Sequence, residues 1–295
     1  MFGRTLMTLG LAMLLAAPAH AGFGLVLPDS PIVDDPEKTS LNLVICAIDP
    51  ATGAGIPIER PQVFTALRYS GDNMDRSEHL SVLDEVVAYG ARAWTTNISL
   101  PHPGVYQLVM QTKAGWVPEQ DKFVQYVTKV QIPAYGSAEG WDKPANISFE
   151  ISPLSRPFGL CSGMAFSGQA LFDGTPIPGA LIDVARLDPA IKPNVAQPED
   201  PNAPPQDDKA QPKAKKQDKQ PTPQPISAFG ATQQVKADRQ GVFTFVCPLP
   251  GWWAFSTSMA GDPLQDPEGK QKPLEIKTIF WVYMNDCPKT APSKK

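Results

Sequence analysis

Histidine is the scarcest chemically useful residue in this chain, with three in 295 residues. His20 lies in the amino-terminal run, so only His79 and His102 lie beyond it. Two isolated imidazoles fall short of the three or four ligands that a closed transition-metal site needs. Cysteine is nearly as sparse, with four, and no C-x-x-C spacing occurs, which removes the usual zinc signature. No Gly-x-Ser-x-Gly elbow, cysteine–histidine signature or phosphate-cradling glycine loop is present, so no nucleophilic or nucleotide chemistry is written as a motif. Charge is also short. The net charge is −4, and the lysines follow no periodic face, which excludes an electrostatic footprint for nucleic acid. Beyond the amino terminus no segment is apolar enough to span a bilayer.

What is present begins with the layout of an export signal. Arg4 precedes a short apolar run over residues 6–17, and Ala19-His20-Ala21 follows as a small-x-small cleavage site. The expected signal peptide is residues 1–21, leaving a periplasmic chain that starts at Gly22 and has no transmembrane segment. No lipidation cysteine follows the run, because the first cysteine is Cys46. Cysteines in an exported chain can pair. A disulfide between two of Cys161, Cys247 and Cys287 is expected, and the sequence does not choose which two.

The rest reads as strands and turns. Thirty-three prolines and 22 glycines are spread through the chain and defeat long helices. Strands are expected at 41–48, 92–100, 105–111, 123–132 and 146–151 in the first half. In the second half they fall at 162–171, 180–185, 241–247, 252–256 and 274–284. Residues 92–100 and 105–111 flank Pro101-His102-Pro103-Gly104 and are expected to form an antiparallel hairpin. Residues 189–225 are dominated by Pro, Gln, Asp, Lys and Ala and bury too little to offset their ordering entropy. The expected architecture is all-β: two tandem Ig-like or transthyretin-like Greek-key sandwiches over 22–153 and 154–288. Residues 189–225 form a disordered insertion in the second, and 289–295 a flexible tail.

Gly168, Asp173, Gly174, Pro176, Pro178, Gly179 and Ala180, followed by Asp238, Gly241, Phe243, Phe245, Pro250, Gly251, Trp252 and Trp253, resemble carboxypeptidase-regulatory and transthyretin-like modules. Over most of 22–285 the chain is similar to bacterial periplasmic proteins associated with nickel uptake, a family filed as a domain of unknown function. The likeness rests on Phe23-Gly24-Leu25-Val26-Leu27-Pro28, Pro103-Gly104-Val105-Tyr106-Gln107, Trp116-Val117-Pro118-Glu119-Gln120-Asp121-Lys122-Phe123 and Pro153-Leu154-Ser155-Arg156-Pro157-Phe158-Gly159. The resemblance implies a component of a metal transport system that binds Ni(II), another divalent metal or a nickel complex beside a membrane metal-permease complex. Where members carry histidine at the mature start and after the first core strand, this chain has Gly22 and Asp49.

The candidate metal ligands are therefore His79, Asp49 and His102. Glu119, Asp121, Glu139 and Asp142 flank Trp116 and Trp141, and four tryptophans (Trp116, Trp141, Trp252, Trp253) are candidates for a stacking surface. Arg156 is expected to tie the two halves by pairing with an acid. The leading expectation is a non-catalytic, exported accessory or solute-binding protein serving uptake of nickel or a related metal. The alternative is an envelope structural or carbohydrate-contacting module without metal.

Overall fold

The computed structural model describes residues 22–198 and 232–287, and the expected signal peptide, tail and residues 199–225 of the insertion lie outside them. Strands dominate. The first half carries β1 (Phe23–Pro28), β2 (Ser40–Asp49), β3 (Ala54–Ile56), β4 (Val63–Ser70), β5 (Asn73–Glu78), β6 (Asp84–Ala88), β7 (Ala91–Ser99), β8 (Gly104–Gln111), β9 (Gly115–Val117) and β10 (Lys122–Ala134). The second carries β11 (Phe149–Pro153), β12 (Leu160–Cys161), β13 (Ala165–Phe172), β14 (Thr175–Pro176), β15 (Leu181–Leu187), β16 (Gln233–Lys236), β17 (Val242–Val246), β18 (Gly251–Gln265) and β19 (Gln271–Asn285).

These strands form three sheets. A five-stranded sheet runs β1-β2-β7-β6 with β3 on β2, and a four-stranded sheet runs β11-β13-β14 with β17 on β13. Between them a ten-stranded sheet runs β16-β15-β18-β19-β10-β8-β4-β5, with β12 and β9 attached. The two halves are joined in that sheet by a parallel pairing of β10 with β19, from Phe123↔Leu274 to Val130↔Trp281.

The sequence of the central strands explains the layering. On β18, Trp252 and Ala254 enter one core, while Trp253 and Phe255 enter the other. On β19, Ile279 and Trp281 face the first core, while Phe280 and Val282 face the second. A strand covered on both faces buries side chains on both, which is why Ile279-Phe280-Trp281-Val282 is apolar without alternation. Each of these large side chains contributes roughly 1.5–3 kcal/mol on burial. The fold is an all-β sandwich with a shared middle sheet.

The hairpin expected at Pro101-His102-Pro103-Gly104 is not one. β7 lies in the five-stranded sheet and β8 in the ten-stranded sheet, so the turn arches across the core. Two prolines remove the N–H groups that would close a tight ladder, and both flanking strands carry apolar faces that bury against each other. The same device recurs at Pro248-Leu249-Pro250-Gly251, where β17 crosses to β18 from the four-stranded sheet. Both arches end on glycine, Gly104 at φ +137° and Gly251 at φ +114°. A Cβ on Gly251 would stand 2.8 Å from Pro189 Cγ as well. Gly251→Ala is expected to cost about 1–3 kcal/mol, read as a lower urea midpoint with an unchanged slope.

The first ten residues of the expected insertion are held in place. Val87 and Ala196 exchange backbone hydrogen bonds of 2.8 and 2.9 Å, and Tyr89 N–H donates to Pro193 O at 2.8 Å. β6 is an edge strand, and its unpaired main-chain groups supply partners that the segment's composition does not reveal.

Candidate functional site

The three expected metal ligands sit on different elements. Asp49 ends β2, and its carboxylate accepts from Ala51 N–H and Thr52 Oγ1–H, both at 2.9 Å, so it organises the turn that follows. His79 precedes a 3₁₀ turn over Leu80–Val82, with its ring tilted against Phe64 at 6.0 Å. Burial pushes its imidazole below the usual histidine range, against the raising effect of Glu78. His102 is exposed in the β7–β8 arch, and its backbone N–H donates to Tyr106 Oη at 3.0 Å.

Strand register separates them. Ser40 pairs with Ser99, so His102 lies at the start of the ten-residue β2 while Asp49 lies at its end. That span is roughly 30 Å. His79 adjoins Phe64, which pairs with Met110 at the far end of β8 from the arch. His102 is therefore apart from both other candidates. Among the described residues no group of three or more His, Cys, Asp or Glu side chains is placed to hold a metal ion. A bare nickel ion is not matched by these donors.

The remaining candidates scatter too. Asp121 pairs with Lys272 at 2.5 Å, and Glu139 Oε1 accepts from Gly71 N–H at 2.5 Å. Trp116 packs on Phe123 at 5.0 Å, whereas Trp252 and Trp253 are buried in opposite cores. Arg156, expected to pair with an acid, stands instead over the Phe158 ring at 5.5 Å. Cys161 and Cys287 form a disulfide. Cys46 and Cys247 are buried free thiols, and burial pushes Cys247 up to about 12.

What the structure does assemble is a groove of about 590 Å³ beside β15, β16 and β18. It exists because two neighbouring strands differ in length. Pairing of β15 with β18 ends at Asp183↔Ser256, yet β18 continues to Gln265 against β19 alone. The turn after β13 closes over the gap and brings in Phe172, Ile177 and Pro178. Phe172 and Leu181 are 41% and 52% exposed. Asp183 is the one charged side chain lining the groove, and its Oδ1 accepts from Gln234 Nε2 at 3.0 Å. No local sequence pattern announces this groove. The turn signals around Asp173-Gly174 were visible, but the run from Thr257 to Gln265 is too polar to announce a strand.

A family model described as "Domain of unknown function (DUF4198)" matches residues 17–261. The chain belongs to this family. No curated protein matches this DUF4198 chain. Among solved structures, the D0-D1 domain of intimin is 8% identical, covering 90% of this chain and 100% of that one at a TM-score of 0.20. A marsupial T cell receptor is 10% identical, covering 88% and 73%, at a TM-score of 0.19. A second cleft in the DUF4198 chain, about 260 Å³, is lined by Glu59, Arg92, Lys113, Trp116 and Tyr126. It is the poorer candidate, because Arg92 is already paired with Glu59.

Proposed function

We propose that this protein is an exported, non-catalytic binding protein of the bacterial envelope that takes its ligand in the groove beside β15 and β18. The groove carries the reading: an apolar hollow with exposed Phe172 and Leu181 and a few polar groups on its lining is the usual form of a binding site. The Cys161–Cys287 bridge supports export, since such bonds persist in oxidising compartments. Nickel or a related metal enters through the resemblance alone, which makes the protein an accessory to a membrane metal permease.

Binding of N-phenyl-1-naphthylamine, a neutral apolar dye, to the processed protein tests the groove. Saturable fluorescence enhancement that Leu181→Lys abolishes is the expected result, and an equal response from that variant removes the site. Calorimetric titration with Ni²⁺, Co²⁺ and Cu²⁺ tests the metal. Heat that His79→Ala removes supports direct capture, and silence with every ion confines any metal role to partner contact.

A further inference from the structure

The open flank of β18 has the chemistry of a strand acceptor. Beyond Ser256 its main chain has β19 on one side and, among the described residues, no strand on the other. Backbone N–H and C=O groups in such a position seek partners. Elsewhere the ten-stranded sheet guards its margins. β5 is exposed along its whole length and carries Asp75, Arg76 and Glu78, and β16 is only four residues long. On β18 the guard begins late, with a register shift between Gly261 and Leu264 and exposed Asp262 and Pro263. The four residues before it, Thr257-Ser258-Met259-Ala260, carry neither charge nor proline.

We infer that these residues receive an extended peptide segment, which joins β18 as an added strand in the place that β15 leaves vacant. The inference deepens the binding role proposed above by naming the ligand class. Thr257 is buried, and the three open residues Ser258 to Ala260 span roughly 10 Å, enough for a short segment. Side chains on an added strand alternate, so one set meets Met259 and Phe172 and the other meets Leu181, while the ladder supplies affinity. Asp183 is the one charged group on the lining, and the buried Lys277 ammonium on β19 already acts on it, so the incoming chain is held by the ladder and the apolar lining.

The test uses fluorescein-labelled Lys-Val-Lys-Val-Lys-Val, capped at its carboxyl end, in fluorescence anisotropy with the processed protein. A second peptide of the same sequence carries N-methyl groups on alternate amides. Saturable binding of the first is expected, with roughly tenfold or greater weakening on N-methylation, since several main-chain hydrogen bonds are lost together. Leu181→Lys weakens binding as well. Equal binding of both peptides, or dye binding without peptide binding, overturns the added strand and leaves the groove standing. Failure of dye and peptide together removes both. A dimer in sedimentation that Leu181→Lys dissolves assigns the edge to a second copy and also overturns the peptide.

Discussion

Replacing Lys129 with Met is expected to lower the unfolding free energy by about 3–5 kcal/mol. Lys129 lies on β10 in the middle sheet and Glu150 on β11 in the four-stranded sheet, with side chains 2% and 5% exposed. Their ion pair bridges two layers. The ammonium also stands 5.0 Å from the centre of the Phe280 ring. Removing the cation strands a buried carboxylate whose remaining support is a 3.4 Å hydrogen bond from Ala145 N–H. The pair itself is not a source of net stability. Burial pulls the Lys129 ammonium below its ordinary 10.5, outweighing the raising effect of Glu150. Lys129→Met with Glu150→Leu is therefore expected to recover most of the loss and to leave the protein at or above its original stability.

The pH dependence follows the same sign. The unfolded chain holds the Lys129 proton to higher pH than the folded chain, so the unfolded state binds more protons in the window below 10.5. Stability from this group then rises with pH through that window. Urea titrations at several alkaline pH values read the slope, which both variants lacking Lys129 reduce, because buried Lys277 supplies a part of the same sign. A Lys129→Met midpoint equal to that of the parent would sink this account.

Local signals carried the strands and little of their assembly. Residues 41–48, 123–132 and 274–284 announced themselves through β-branched and aromatic runs, and they became β2, β10 and β19 with small shifts at the ends. β5 escaped because Met74 is its only apolar residue. The arch at Pro101-His102-Pro103-Gly104 was legible as a turn, but a turn does not say whether its strands pair or face each other. Its twin at Pro248-Leu249-Pro250-Gly251 shares the same Pro-x-Pro-Gly pattern and the same crossing. The parallel pairing of β10 with β19 joins residues about 150 apart, a distance over which no local pattern operates. Lys129 stood in plain sight as a charge inside an apolar run, but its partner on β11 did not.

Candidate-site legibility divides the same way. Histidine and acid could be counted but not placed, and placement scattered them. The groove depends on β15 pairing with β18 only as far as Asp183 while β18 runs on to Gln265, a mismatch between partners more than sixty residues apart. Such a feature belongs to no single stretch of sequence.

Removing the Cys161–Cys287 bridge is expected to cost about 4–5 kcal/mol, the second large effect. The bridge spans 126 residues with its Cα atoms 5.4 Å apart, so the loop it closes in the unfolded chain is long. In the folded protein the corner it clamps is already built. Leu160 and Cys161 pair in parallel with Met284 and Asn285, Asn285 Nδ2–H donates to Leu160 O, and Ser162 N–H donates to Asn285 O, both at 2.9 Å. Cys161→Ala with Cys287→Ala should therefore keep the fold and its β-rich circular dichroism while the urea midpoint falls, because the loss acts on the unfolded state. Alkylation gives an independent check. The parent unfolded without reductant should expose two thiols, Cys46 and Cys247, and four once reduced. The double variant should expose two in either case. An unchanged midpoint would mean that the unfolded chain keeps these two positions together without the bond. The parallel pairing at the end of β19, not the sulfur bridge, would then be what holds the centre of the molecule to its last strand.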